Sequence, residues 1–380
     1  MNKILKPFYI TLIALSIILG TASESIANDN DTVARANLQI EMRIAYGFNV
    51  CHHPEMYRFR AHYPLFELGV QHDTYGNKSW QQLLNYPSVG VTLLYSGLGG
   101  FKELGSVISI YPYLKFYFNK GSKNKIALKT GVGIGYLTNK FDPVTNYTNT
   151  FVGSHFNAAL NIALEYKRML SDRLSLALNA GLTHFSNGSM RTPNNGLNIM
   201  NAGLSACYFI DKPQQLIKRE PRNDQTFKSW GKENISYYFS FTYAIKDTDE
   251  YLGYGKTWSV YCINANVLKR VSRLSKLGIG IEISYDETDK AVLFKDNIAY
   301  RDFELLKPSI SVAYELMMGS TSILLNAGCH LYAKEDSEGV LFQKLFLKQN
   351  LGERIFITCG LTTHFGWADN FSFGIGYKIN

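Results

Sequence analysis

Between Phe371 and Ile379 every second residue is apolar: Phe371, Phe373, Ile375, Tyr377 and Ile379 alternate with Ser372, Gly374, Gly376 and Lys378. A two-residue period sends successive side chains to opposite faces of a strand and has no counterpart in a helix. The same pattern recurs along the chain. It predicts sixteen strands, at roughly 35–47, 63–74, 87–96, 104–119, 124–139, 151–166, 172–186, 198–210, 233–247, 256–269, 275–288, 307–318, 321–332, 338–348, 353–366 and 369–379. Beyond the first thirty residues no run of about 18 apolar residues exists, so helical membrane spans are excluded. Segments of ten or more residues are long enough to cross a bilayer as tilted strands.

Composition decides between a soluble sandwich and a membrane barrel. The chain has 25 Tyr, 23 Phe and 31 Gly against 10 Pro. Aromatic-rich alternating strands suit a barrel with an apolar outer wall and aromatic girdles at both interfaces. The expected fold is therefore all-β, a transmembrane antiparallel barrel of about sixteen strands (range 12–16). Two eight-stranded units are the alternative; the single barrel is favoured because neither half shows its own terminal signature. The connections after even strands, such as 120–123, 167–171 and 319–320, are shorter than those after odd strands, such as 140–150 and 289–306. Short turns belong on the periplasmic side, so odd strands run outward. Residues 211–232, polar and basic with two prolines, read as a linker or long turn between residues 28–210 and 233–380.

At the amino end Lys3 and Lys6 precede an apolar run ending near Leu19, and Ser25-Ile26-Ala27 offers a small-x-small cleavage site. Residues 1–27 thus read as a signal peptide, with the mature chain exported to the outer membrane. Five scattered cysteines form neither a disulfide framework nor zinc-ligand spacing. The net charge of +8 is spread too thinly for a nucleic-acid surface.

One passage could carry chemistry. Along residues 172–186, Leu174, Leu176, Leu178, Ala180 and Leu182 share the face that should meet lipid, and His184 and Ser186 continue it. If this strand pairs with the next across 187–197, with residue numbers summing to about 382, Asn198 lies opposite His184. Cross-strand neighbours are close enough to touch. Polar groups on a lipid-facing stripe are costly and tend to be functional. A Ser–His pair with a third group orienting the imidazole is the pattern of an activated nucleophile. The plain alternative is that the three residues mark where the strand meets headgroups.

The stretch HFSNGSMRTPNNGLN, residues 184–198, resembles the signature of the lipid A deacylases of the PagL type, outer-membrane barrels that cleave an ester-linked acyl chain from lipid A. His-x-Ser-Asn, a Pro-Asn pair seven residues after Ser186 and the following Gly carry the resemblance. The segments 80–90 and 131–136 resemble the longer relatives called acyloxyacyl hydrolases. The resemblance implies Ser186 as nucleophile and His184 as general base. Asn187 and Asn194, with peptide N–H groups around Gly188 and Ser189, would stabilise the oxyanion. It also implies a triad acid at position 198, where this chain has Asn198. The substrate implied is lipopolysaccharide in the outer leaflet, with no cofactor. A non-catalytic barrel (a channel or a surface binding protein) and a phospholipase are the competing functions.

Three other features carry less. The glycines of Gly131-x-Gly133-x-Gly135 lack the strand-then-helix setting of a dinucleotide loop and read as strand glycines beside aromatics. Cys51, His52 and His53 are adjacent, so in a strand they would diverge rather than share a metal. His155 and Asn157 alternate with apolar neighbours and are expected in the lumen.

Overall fold

Alternation decides where each strand begins, and backbone hydrogen bonding decides how the strands close. In the computed structural model, which describes residues 37–210, 212–217, 234–247, 256–365 and 367–379, all sixteen expected segments are strands. The leader 1–27 and most of the link 211–232 lie outside the described residues. The first eight are β1 (Leu38–Asn49), β2 (His62–Asp73), β3 (Ser88–Ser96), β4 (Val107–Tyr117), β5 (Asn124–Leu137), β6 (Phe156–Met169), β7 (Leu174–Ser186) and β8 (Leu197–Phe209). They form an antiparallel ring in chain order, closed by β1 on β8 from Gln39↔Phe209 to Asn49↔Ile199.

The second eight form a ring of their own. They are β9 (Ile235–Asp247), β10 (Thr257–Arg270), β11 (Ser275–Asp286), β12 (Leu306–Met318), β13 (Thr321–His330), β14 (Leu341–Asn350), β15 (Ile355–His364) and β16 (Trp367–Lys378). β16 pairs with β9 from Ser372↔Ala244 to Lys378↔Tyr238. The single sixteen-stranded barrel favoured from sequence is thus corrected to two closed eight-stranded barrels. The reason is in the backbone: β8 spends one edge on β7 and the other on β1, leaving none for β9.

Each barrel has an apolar wall and a polar interior. In the first, Met42, Ile44 and Leu178 are about 60% exposed on the outside (66%, 63% and 59%). Inside, Lys115 Nζ bridges Glu41 at 2.9 Å and Glu165 at 2.8 Å. Lys129 pairs with Glu67 at 3.2 Å, and Arg43 binds Glu67, Asn179 and Asn201. Eight strands enclose an interior just wide enough for side chains, so these pairs fill it. The second barrel repeats the scheme, with Ile279, Ile281 and Ile283 outside and Lys344–Glu282 and Lys348–Glu315 inside.

At the odd-strand ends of the first barrel an apolar plug caps the ionic interior, built from Met56, Phe59, Leu98, Phe151, Phe185 and Leu197 among others. This plug moves two expected boundaries. β6 begins at Phe156 rather than 151 because Phe151 and Val152 are fully buried in it, and β4 begins at Val107 because Leu104 joins it. The connections after odd strands are mostly the longer ones, as expected. The stretch 74–87 on the other side is an exception and holds a short helix, Ser79–Leu83. No helix among the described residues is long and apolar enough to cross a membrane.

Candidate active site

The outer face of β7 changes character along its length. Leu174, Leu176, Leu178 and Leu182 are exposed, whereas His184 is only partly so and Ser186 is 7% exposed. Connections from the same barrel fold over this end. Asn195 and Gly196 donate their N–H groups to the carbonyls of Thr150 (3.2 Å) and Phe151 (2.8 Å), and Val50 N–H donates to the Asn198 carbonyl at 2.8 Å.

The register sets the first pair. β7 and β8 run from Leu174↔Tyr208 to Phe185↔Leu197, which places Asn198 directly opposite His184. His184 Nδ1 lies 2.7 Å from Asn198 Oδ1. With the amide oxygen accepting, Nδ1 carries the proton and Nε2 keeps a lone pair, the tautomer a general base needs. Gly196 holds the imidazole from the other side. Its φ is +77°, and a Cβ there would stand 2.7 Å from His184 Cε1, so the ring fits only because the side chain is absent.

Asn194 organises the serine. Its Nδ2 donates to Ser186 Oγ at 2.9 Å, and its Oδ1 accepts from the Asn187 peptide N–H at 3.0 Å. A hydroxyl that accepts from an amide can still donate its own hydrogen to a base. Asn187 Nδ2 in turn donates to Ser154 Oγ at 3.1 Å, and Ser154 Oγ donates to the Phe156 carbonyl at 2.8 Å. Gly188 and Ser189 adopt left-handed φ values of +58° and +59°. They follow Asn187 at the start of the β7–β8 connection.

Two contributors were not singled out from the sequence for this site. Ser154 buttresses Asn187 from the β5–β6 connection. His52, on the β1–β2 connection, places Nδ1 3.5 Å from Asn198 Nδ2. Neither position carries a motif; the β6–β7 pairing brings Ser154 to Asn187, and the β1–β8 closure brings His52 to Asn198. The neighbouring Cys51 donates to the Met56 carbonyl at 3.2 Å, ordinary turn bonding. The three glycines 131, 133 and 135 sit in β5, and a Cβ at 133 would stand 2.2 Å from the Ile110 carbonyl oxygen, a close strand approach. Asn157 lines the lumen at 3% exposure. His155 does not: it precedes β6 and stacks on the outward-facing Tyr136 at 5.5 Å, because the strand starts one residue later.

Two family models match the chain. One, described as "Lipid A 3-O-deacylase (PagL)", covers residues 65–206 of the first barrel; the other, "Acyloxyacyl hydrolase, C-terminal domain", covers residues 235–380 of the second. No curated protein sequence matches. Among solved structures, the outer membrane enzyme PagL is similar at 19% identity and a TM-score of 0.30, over 44% of this chain and 99% of that one. OpdL of Pseudomonas aeruginosa gives 10% identity and a TM-score of 0.22, over 91% and 99%. A mutant of the Rh. blastica porin gives 7% identity and a TM-score of 0.17, over 90% and 98%.

Proposed function

Residues 65–206 belong to the PagL family of lipid A deacylases and residues 235–380 to the C-terminal domain of acyloxyacyl hydrolases, and from that premise we propose that the first barrel is an outer-membrane serine esterase acting on lipid A. The observation that carries the reading is the pairing of His184 Nδ1 with Asn198 Oδ1 on the same outward face as Ser186, at the end of an apolar stripe. Acyl chains lying against that stripe would bring an ester carbonyl to the level of Ser186.

In this scheme Ser186 Oγ attacks the carbonyl carbon while His184 Nε2 takes its proton. The negative charge moves to the carbonyl oxygen, where the Asn194 amide beside Ser186 would donate to it. Collapse expels the sugar hydroxyl, which leaves with the proton from His184. Water, deprotonated by the same nitrogen, then attacks the acyl-serine and releases the fatty acid. Apart from the water, every group in the scheme belongs to this chain or to the substrate.

A second reading rests on one residue. Asn198 orients the imidazole but adds no negative charge beside the imidazolium, which favours a barrel that binds lipid A without cleaving it. Purified protein in detergent, incubated with lipid A and followed by mass spectrometry for fatty-acid release, separates the two. Ser186→Ala should lower the rate by about 10⁴-fold or more on a folded barrel. Release that persists undiminished in Ser186→Ala removes Ser186 as nucleophile. A folded wild type inactive on several lipid A forms points to the binding barrel.

A further inference from the structure

His364 ends β15 in a stretch, Gly360-Leu-Thr-Thr-His-Phe, that echoes Gly181-Leu-Thr-His-Phe of β7. The extra threonine and a register shift between Thr362 and Thr363 send this histidine inward instead of outward. It is 8% exposed, inside the second barrel at the odd-strand end. Its Nδ1 lies 2.9 Å from the Leu341 carbonyl oxygen. A carbonyl can only accept, so Nδ1 is protonated and Nε2 is the nitrogen with chemistry to spare.

That nitrogen faces two carboxylate oxygens, Glu338 Oε2 at 3.7 Å and Asp369 Oδ2 at 3.8 Å. The three ligand atoms lie within 4.8 Å of one another. Three lone-pair-bearing atoms turned toward one point repel unless positive charge stands between them; Glu338 is exposed, while the inner Asp369 Oδ2 accepts from Asn370 Nδ2 at 2.8 Å and keeps a second lone pair for the gap. Lys246 does not supply it there, because its ammonium holds the opposite oxygens, Glu338 Oε1 at 3.0 Å and Asp369 Oδ1, together with Asp286. A proton on Nε2 would draw a carboxylate to about 2.7–2.9 Å, well inside the separations found. A small divalent ion fits the gap better: ligands about 2.0–2.2 Å from a tetrahedral centre stand roughly 3.4 Å apart.

We propose that the second barrel holds a divalent-cation site of the zinc class, with His364 Nε2, Glu338 Oε2 and Asp369 Oδ2 as its three protein ligands. Carboxylates alone would also suit magnesium or calcium, but the imidazole nitrogen among the donors favours a first-row ion. The Leu341 carbonyl and Lys246 hold the ligands in place from behind, as outer partners of metal ligands do. The three residues also line a cavity of about 50 Å³, which has room for the water that completes a three-ligand site.

The test uses the full chain in detergent, stripped with a chelator. Zn²⁺ binding is read by calorimetry, and Co²⁺ by its visible absorption. One equivalent should bind, and His364→Ala and Glu338→Gln should each weaken binding by about tenfold or more. Glu338 is on an exposed connection, so its variant leaves the strands intact even if His364→Ala does not fold. Absence of saturable binding in folded wild type overturns the proposal. So does an affinity unchanged in Glu338→Gln.

Discussion

An amide at position 198 does part of a carboxylate's work. Its oxygen accepts from His184 Nδ1 and fixes the tautomer, yet it would bring no charge to the imidazolium that the proposed mechanism forms when Ser186 gives up its proton. The two contributions are separable by substitution. Asn198→Leu removes the acceptor, so Nδ1 and Nε2 compete for the proton, and ester cleavage should fall roughly 100-fold. Asn198→Glu keeps the acceptor and adds charge; a charge-assisted bond in place of a neutral one should raise the rate roughly tenfold. Initial rates of fatty-acid release from lipid A measure both, and a Leu variant as fast as wild type would remove Asn198 from the mechanism. At this scale the sequence was informative because parity and loop length alone set His184 against Asn198. The bridging role of Asn194 depends on a rotamer, Ser154 on the path of the β5–β6 connection and His52 on ring closure, none of which is visible in a local pattern.

Among elements, β7 and β15 show how much a single residue matters in a strand. Both end in a histidine after similar residues, but one inserted threonine changes the face from lipid to lumen. Strand existence was legible throughout, because a wall that meets lipid must alternate with an interior that does not. Boundaries drifted where loop residues such as Phe151 were apolar for another reason, namely filling the plug. The apolar face of β7 also gives a stability prediction. Leu178, 59% exposed and midway along the strand, should tolerate Phe, whereas Leu178→Arg should cost about 2–4 kcal/mol in lipid. Urea unfolding in bilayers reads the difference, and equal stabilities would refute a lipid-facing β7.

For the whole molecule, sixteen alternating segments are compatible with one wide ring or two narrow ones. The choice is made by which backbone edges pair, and edges have no side-chain signature. The long polar stretch 211–232 between the eighth and ninth strands was the available hint. Since β1 and β8 close on each other, residues 28–210 produced alone should fold as an independent barrel and migrate differently in gels before and after heating. Aggregation of that fragment under conditions that refold the full chain would show that closure needs the second half.

The interior of the first barrel is filled by the ion pairs around Lys115, and under the proposed function this bears on how Ser186 would meet a substrate. Ser186 follows the outward face of β7, so under the proposed function its substrate would approach laterally, within the plane of the membrane. An enzyme working this way responds to crowding in two dimensions. Its rate follows the mole fraction of substrate among neighbouring lipids, and diluting the whole suspension with buffer leaves turnover unchanged, whereas diluting the surface with inert lipid slows it.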